Sequence, residues 1–339
     1  MSGDKQQTLN FEKLKMVLGN QNSILLLVLL ALVIAFTIAE PKFFTVATAG
    51  NILTDWGSIV LLATGQTLVI ISGGIDLSVG GTLAISGVTS AWMMAEVLGL
   101  GITTSGADAH GALVIGALTA VATGLLVGLT NAFLITKLRI VPFVATLSTM
   151  GATLGFAIII SDGMPIGGPN DFSLISPIMP GVIPFSWAVL AVIVVVSIVG
   201  LYLHKSRFGL HTYAIGSNSF AARAAGINVE LHLTKVYGLA GALAGLAGFY
   251  VYLRLGAGSP SSGVMRELDA IAAVVIGGAS LMGGVGRMIG TVLGALILFT
   301  VQSGLIMAGV APDWKKVVVA VLIAAAVAAQ TLRPENRRR

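Results

Sequence analysis

The residues best placed to do chemistry lie in one segment, Gly73-Gly74-Ile75-Asp76-Leu77-Ser78-Val79-Gly80-Gly81. It places a carboxylate, a hydroxyl and four glycines between two long apolar runs. A carboxylate near membrane depth is costly unless it lines a cavity or caps a helix. Asp76 can therefore cap the next helix by accepting from the N–H of Ser78 or Val79, or it can bind a polar solute or a gating partner. The two roles are compatible, and both stay open.

A second glycine-interrupted segment lies near the C-terminus. The apolar block 268–282 contains Gly277-Gly278 and is followed by Gly283-Gly284. Short or broken apolar segments at related places in two halves of a chain point to a transport site between structural repeats. Paired glycines also allow simple close packing of helices, which is the competing interpretation. The predicted pathway or gate residues are Ser72, Gly73, Gly74, Asp76, Ser78, Gly277, Gly278 and Ser280.

The sequence shows no constellation typical of an enzyme. No glycine precedes a lysine, so the chain has no phosphate-binding P-loop and gives no sign of ATP hydrolysis. Cysteine is absent, and the four histidines (His110, His204, His211 and His232) lack the spacing of metal ligands. We therefore predict no catalytic residue, no metal site and no cofactor within this chain.

Apolar composition dominates the chain, which is 56% hydrophobic and only 10% charged over 339 residues. The apolar residues fall into blocks of about 20, the length that spans a bilayer as a helix. These blocks lie at 23–39, 57–72, 79–99, 112–135, 142–161, 183–203, 232–253, 268–282, 288–308 and 315–332. We predict an all-α polytopic membrane protein with about ten transmembrane helices.

The distribution of basic residues predicts the orientation of these helices. An even helix count puts both termini on one side, and placing them in the cytoplasm gives fourteen Lys and Arg inside against five outside. Trp56, Trp187 and Trp314 then fall at outer helix starts, as expected of an interfacial aromatic belt. The predicted organisation is a cytoplasmic lead at 1–22, a transmembrane domain at 23–332 and a basic cytoplasmic tail at 333–339.

Two connections are long enough to have structure of their own. The outer one, 162–182, carries four prolines and predicts an irregular lid or cap rather than a helix. The inner one, 204–231, contains Ser217-Asn218, an alanine-rich stretch and then Gly226, which predicts an N-cap, two helical turns and a glycine stop. This short helix either lies on the membrane surface as a connector or docks into a soluble partner.

Small residues at GxxxG spacing predict close helix packing at several places. The pairs and the triple are Gly124/Gly128, Gly151/Gly155, Gly241/Gly245 and Gly286/Gly290/Gly294. The triple is the strongest candidate for a packing face.

Three motifs, in order, resemble those of the permease subunits of ABC importers for monosaccharides, the ribose, galactose, xylose and galactofuranose group. The first is the segment 73–81. The second is Ala214-Ile215-Gly216-Ser217-Asn218 with Ala221-Ala222-Arg223 and Gly226-Ile227. The third is Glu267-Leu268-Asp269-Ala270-Ile271 with Val275-Ile276-Gly277-Gly278, Ser280 and Gly283-Gly284. The resemblance runs from about Ile52 to Val327.

This resemblance implies a multi-pass permease of the bacterial inner membrane that is not itself an enzyme. ATP and Mg²⁺ would be bound by separate ATPase subunits, a second permease subunit (identical or homologous) would complete the pathway, and a periplasmic sugar-binding protein would deliver the solute. No nucleic acid is implied. Residues 217–227 would form the coupling helix, with Gly216, Asn218, Ala222, Arg223 and Gly226 facing the ATPase.

Two alternatives remain open. Permeases of similar sequence import the sugar-like signal autoinducer-2, which would be the same role for another solute. A self-sufficient secondary carrier driven by an ion gradient is the rival from another class. The scarcity of acids expected deep in the membrane weighs against it, since proton and ion relays use such residues.

Overall fold

A computed structural model describes residues 21–102 and 107–311, together with residues 314, 317–321, 324 and 328. Residues 1–20 of the predicted lead, most of the block 315–332 and the predicted tail 333–339 lie outside the described residues. Within the described part, seven helices are long and apolar enough to cross a membrane. The predicted class, an all-α polytopic membrane protein, is confirmed.

The helices form the framework of the chain. In order they are α1 Gln21–Ala39, α2 Val46–Ile71, α3 Val79–Trp92, α4 Ala107–Thr136, α5 Pro142–Ser161, α6 Trp187–Lys205, α7 Arg207–Ser217, α8 Ser219–Ala224, α9 Val229–Leu255, α10 Arg266–Ile276 and α11 Met288–Met307. One π-helical turn, Met93–Val97, extends α3, and short 3-10 turns occupy Pro41–Phe43 and Phe172–Leu174. Two-residue strands β1 Ile166–Gly167 and β2 Ala257–Gly258 pair antiparallel. Nine of the ten predicted blocks overlap a helix, but α3 and α10 are too short to be among the seven candidate spans.

Helix α2 lies at the centre of the molecule and is buried from residue 56 onward. It starts at Val46, well before the predicted block, because the Thr45 hydroxyl caps it by accepting from the Thr48 N–H at 3.2 Å. Its first turns are too polar to stand out as an apolar run. They are held by α9 instead, where Arg254 forms an ion pair with Asp55.

The earlier start of α2 corrects one prediction. Trp56 is not at an outer helix start; it is 4% exposed, and its indole N–H donates to the Val292 carbonyl at 3.4 Å. It is therefore a core residue and not part of an interfacial belt. Trp187, in contrast, is the first residue of α6 and is exposed, as predicted for a belt position.

Two of the predicted glycine faces pack against each other across α4 and α9. A Cβ on Gly124 would collide with the Gly241 carbonyl oxygen, and a Cβ on Gly241 would collide with that of Gly124. Gly128 and Gly245 lie in the same crossing. The C-terminal triple also packs, because Gly290 and Gly294 of α11 face the end of α10. Gly151 and Gly155 of α5 differ: a Cβ on either would meet nothing within 4 Å.

The loop between α5 and α6 is fastened to the C-terminal end of α9. The Tyr252 hydroxyl donates to the Pro169 carbonyl at 2.5 Å, and Asn170 Nδ2 donates to the Leu253 carbonyl at 2.9 Å. The β1–β2 pairing lies beside these bonds. The predicted lid is therefore irregular over most of its length but anchored at its centre.

The connection between α6 and α9 contains two helices where one was predicted. The helix that was not predicted is α7. It has glycines and polar residues among its apolar ones, so it gives no clear apolar run in the sequence. The Ser206 hydroxyl starts it by accepting from the Phe208 N–H at 3.1 Å. Phe208, Thr212 and Ile215 are buried, which fixes α7 against the membrane helices.

Candidate functional site

The turn between α2 and α3 buries its carboxylate completely. Asp76 is 1% exposed, and its Oδ1 accepts from the Ser78 N–H at 2.8 Å and from the Ser78 hydroxyl at 2.6 Å. The bond to the Ser78 N–H was expected, but Asp76 is not the N-cap itself. Ser78 occupies that position directly before Val79. Asp76 therefore orders the turn that leads into α3.

A chain of hydrogen bonds from two further helices ends on this carboxylate. Thr149 of α5 donates to Asn131 Oδ1 at 2.6 Å, and Asn131 of α4 donates from Nδ2 to the Ser78 hydroxyl at 2.8 Å. Ser78 in turn donates to Asp76. All four side chains are buried. Because each bond polarises the next in a low dielectric, such a network is strong when every member is satisfied.

The backbone of the same turn is held as firmly as the side chain. With its amide oriented to match its surroundings, Gln66 donates to the Asp76 carbonyl at 3.1 Å and accepts from the Asp76 N–H at 3.2 Å. The Thr146 hydroxyl accepts from the Leu77 N–H at 3.1 Å and lies 3.2 Å from the Ile75 carbonyl oxygen. Helices α2, α4 and α5 therefore fix the start of α3.

One polar group beside the turn lacks a partner. The hydroxyl of Tyr237 in α9 is buried and makes no hydrogen bond with any described residue. It faces Gly74 so closely that a Cβ there would collide with the phenol oxygen. A buried hydroxyl without a partner costs about 1–3 kcal/mol, so it needs a physical or functional reason.

The second glycine-rich segment forms a compact turn between α10 and α11. Gly278, Gly283 and Gly284 all have positive φ, which glycine adopts without strain. The Ser280 N–H donates to the Val285 carbonyl at 2.9 Å, and the Ser280 hydroxyl accepts from the Met282 N–H at 3.2 Å. Ser280 thus closes the turn on itself.

The two turns meet each other and the end of α7, backbone against backbone. The Gly284 N–H donates to the Ile71 carbonyl at 2.9 Å. A Cβ on Gly283 would lie 2.8 Å from the Gly216 carbonyl oxygen and 2.9 Å from the Gly73 Cα. We call this contact of Gly73, Gly216, Gly283 and Gly284 the glycine junction. It joins a predicted pathway residue to a predicted ATPase-facing residue.

Helix α8 has the predicted cap and stop. Asn218 Oδ1 accepts from the Ala221 N–H at 2.9 Å, and Gly226 ends the helix with a φ of 86°. Ala222 is buried, whereas Phe220 is 86% exposed. Arg223 donates to Glu230 at 2.7 Å, and both side chains are largely open to solvent.

The structure therefore brings some predicted residues together and adds others. Ser72, Asp76 and Ser78 are buried in the chain, so their place along a solute pathway stays a prediction, as does the ATPase-facing role of α8. The sequence patterns did not identify five residues that contact this site: Gln66, Asn131, Thr146, Thr149 and Tyr237. Their only signal was a polar side chain inside an apolar block. No group of three potential metal-binding side chains occurs among the described residues.

The known proteins that this chain resembles are permease components of transport systems. Residues 48–327 match the family described as the permease component of branched-chain amino acid transport systems. The ribose import permease protein RbsC of Bacillus subtilis (strain 168) is 39% identical over 88% of this chain and 89% of its own length. The Escherichia coli K12 RbsC is 36% identical over 89% of this chain and 91% of its own length.

A third relative differs in the sugar that its name states. The galactose/methyl galactoside import permease protein MglC of Escherichia coli K12 is 34% identical over 91% of this chain and 93% of its own length. No solved structure matches the chain.

Proposed function

This chain belongs to the family of branched-chain amino acid transport system permease components, and from that membership we propose that it is the membrane-spanning permease subunit of an ABC importer for a monosaccharide. The observation that carries the proposal is its similarity, over nearly its whole length, to permeases named for ribose and for galactose. The solute is a pentose or a hexose. Like the permease subunits it resembles, the chain is not itself an enzyme.

The energy for transport comes from ATPase subunits outside this chain. The sequence has no P-loop, whereas α8 presents an exposed Phe220 and an exposed Arg223, paired with Glu230 of α9, that a cytoplasmic partner can contact. Aromatic residues and arginine are enriched in protein–protein interfaces relative to the rest of the surface. We assign α8 as the coupling helix.

The glycine junction supplies a route from α8 to the membrane. Gly216 lies two residues before the Asn218 cap of α8, and it contacts the turns that follow α2 and α10. Because these contacts are between backbones, no flexible side chain can absorb a displacement of α7. Motion of α8 on ATP binding would therefore move both glycine turns together.

Asp76 lies in the inner half of the membrane in this arrangement. Asn131 is five residues before the end of α4 and Thr149 is seven residues after the start of α5, which is about 8–10 Å along each helix. Both ends face the cytoplasm in the predicted topology. We propose that the Asp76 turn acts as part of the inner gate, positioning α3 rather than binding sugar in this conformation.

The complete importer contains a second permease subunit, two ATPase subunits and a sugar-binding protein on the outer side of the bacterial inner membrane. The test is uptake of labelled ribose and galactose by proteoliposomes that contain all four components. We expect uptake that requires ATP and stops when the ATPase is omitted. Uptake by this chain alone that follows a proton or sodium gradient would establish a secondary carrier instead. Autoinducer-2 as the transported solute, with neither sugar transported, would reassign the substrate.

A further inference from the structure

A cavity of about 1170 Å³ opens beside the glycine junction and is separate from the Asp76 network. It lies between the start of α1, the end of α6, α7, and the segment that joins α10 to α11. Its polar lining consists of Gln21, Asn22, His204, Tyr213 and Arg287, with glycine backbone between them. The predicted topology places all these helix ends at the cytoplasmic side of the membrane.

The polar part of the cavity carries positive charge and no carboxylate among its described lining residues. Arg287 is exposed at the start of α11, where the helix dipole adds partial positive charge. His204 accepts from the Met288 N–H at 3.2 Å. Tyr213 donates to the Gly286 carbonyl at 2.7 Å and thus ties α7 to the same wall. Arg287 and the start of α11 therefore make this wall of the cavity favourable to an anion.

The apolar part of the lining distinguishes between kinds of anion. Leu210, Val285 and Ile289 border the cavity and are 70%, 59% and 59% exposed. A small hydrated anion gains nothing from such a rim, whereas acyl chains bury it favourably. Basic pockets between transmembrane helices on the cytoplasmic side suit lipid headgroups.

We propose that this cavity binds the phosphate headgroup of an anionic phospholipid from the inner leaflet. Arg287 is the principal phosphate ligand, the imidazole of His204 and the amide of Gln21 line the headgroup region, and Leu210 and Ile289 contact the acyl chains. The lipid then bridges α7 and the second glycine turn, the two elements that meet in the glycine junction. Its binding is a property of the membrane chain itself and does not depend on which solute is transported.

The test is native mass spectrometry of the purified full chain in detergent, titrated separately with phosphatidylglycerol and phosphatidylcholine. We expect phosphatidylglycerol to bind more tightly than phosphatidylcholine. Arg287→Gln should weaken phosphatidylglycerol binding about tenfold, the size expected for loss of a charge-assisted hydrogen bond. Arg287→Lys should keep most of the affinity. Arg139→Gln, at an exposed arginine near the end of α4, is the matched control and should change nothing.

Several results would overturn the proposal. Equal affinity for the two lipids would show that the headgroup charge is not recognised. Displacement by millimolar inorganic phosphate would identify a free-anion site. Equal losses of phosphatidylglycerol affinity in Arg287→Gln and Arg139→Gln would show a general charge effect. Lipid binding that is detected only when residues 1–20 are deleted would assign the cavity to that segment. If Arg287→Gln does not fold, Leu210→Ser provides the test. It removes an apolar contact to the acyl chains and should therefore weaken lipid binding.

Discussion

Gly216 and Gly284 lie so close that a Cβ on Gly216 would be 2.7 Å from the Gly284 nitrogen. The same Cβ would collide with the Ile71 carbonyl oxygen, which accepts the hydrogen bond from Gly284. One position on α7 thus touches the ends of two membrane elements that are distant in sequence. Interfaces of this kind shift between discrete arrangements rather than deforming gradually, which suits a transporter that alternates between states.

We expect Gly216→Ala to disturb this junction, because the atoms that must give way belong to the backbone. Overpacking of a close contact costs about 1–3 kcal/mol. Gly151→Ala is the matched control, since that helical glycine faces open space and alanine favours the helix by up to about 1 kcal/mol. The midpoint of thermal unfolding in detergent and the rate of ATP-dependent uptake should both fall for Gly216→Ala and stay unchanged for Gly151→Ala. Equal behaviour of the two variants would show that the junction tolerates a side chain.

Arg223→Glu tests the assignment of α8 as the coupling helix. The exposed Arg223–Glu230 pair contributes at most about 1 kcal/mol, reduced by solvent screening, so the variant should fold and insert. It should nevertheless lose co-purification of the ATPase if Arg223 contacts it.

The charge swap Arg223→Glu with Glu230→Arg separates the two roles of this arginine. It restores the local ion pair but leaves the wrong charge on α8. We expect ATPase binding to stay low in the swap. Full recovery would mean that the ion pair alone matters, and unchanged binding in the single variant would remove Arg223 from the interface.

Asp76→Ala should destabilise the chain, because the Ser78 N–H and hydroxyl would lose their common acceptor inside the protein. Each unsatisfied buried group costs about 1–3 kcal/mol. Asp76→Asn keeps one acceptor oxygen and should retain most of the stability. Glu96→Ala, at an exposed acid, is the control. The measurement is the midpoint of thermal unfolding, read together with uptake. A stable Asp76→Ala variant with normal uptake would show that the turn does not need its carboxylate.

The sequence was most informative where structure is set locally. Apolar length predicted the helices, the caps at Asn218 and Gly226 predicted α8, and the glycine pairs predicted two turns. It was less informative where partners are distant in the chain. The polar start of α2 is stabilised by Arg254 of α9, so hydropathy alone placed the helix start too late and Trp56 at the surface.

The candidate site shows the same division. Asp76 and Ser78 were identified from their own segment, but their partners Gln66 and Asn131 come from two other helices. A lone asparagine or threonine in an apolar block does not reveal which turn it will meet. The sequence did not predict the glycine junction either, because Gly73, Gly216 and Gly283 become neighbours only after the helices have packed.

Tyr237→Phe tests why a buried hydroxyl beside Gly74 has no partner among the described residues. In this conformation the hydroxyl is a cost of about 1–3 kcal/mol, so its removal should raise the midpoint of thermal unfolding. If the hydroxyl bonds to the Asp76 turn in another state of the transport cycle, the variant should stabilise the present state and slow uptake several-fold. Tyr252→Phe is the matched control, because that hydroxyl donates to Pro169 and its loss should lower stability. A drop in stability for both variants would show that Tyr237 has a partner in the resting protein and would remove the reason to expect a bond in another state.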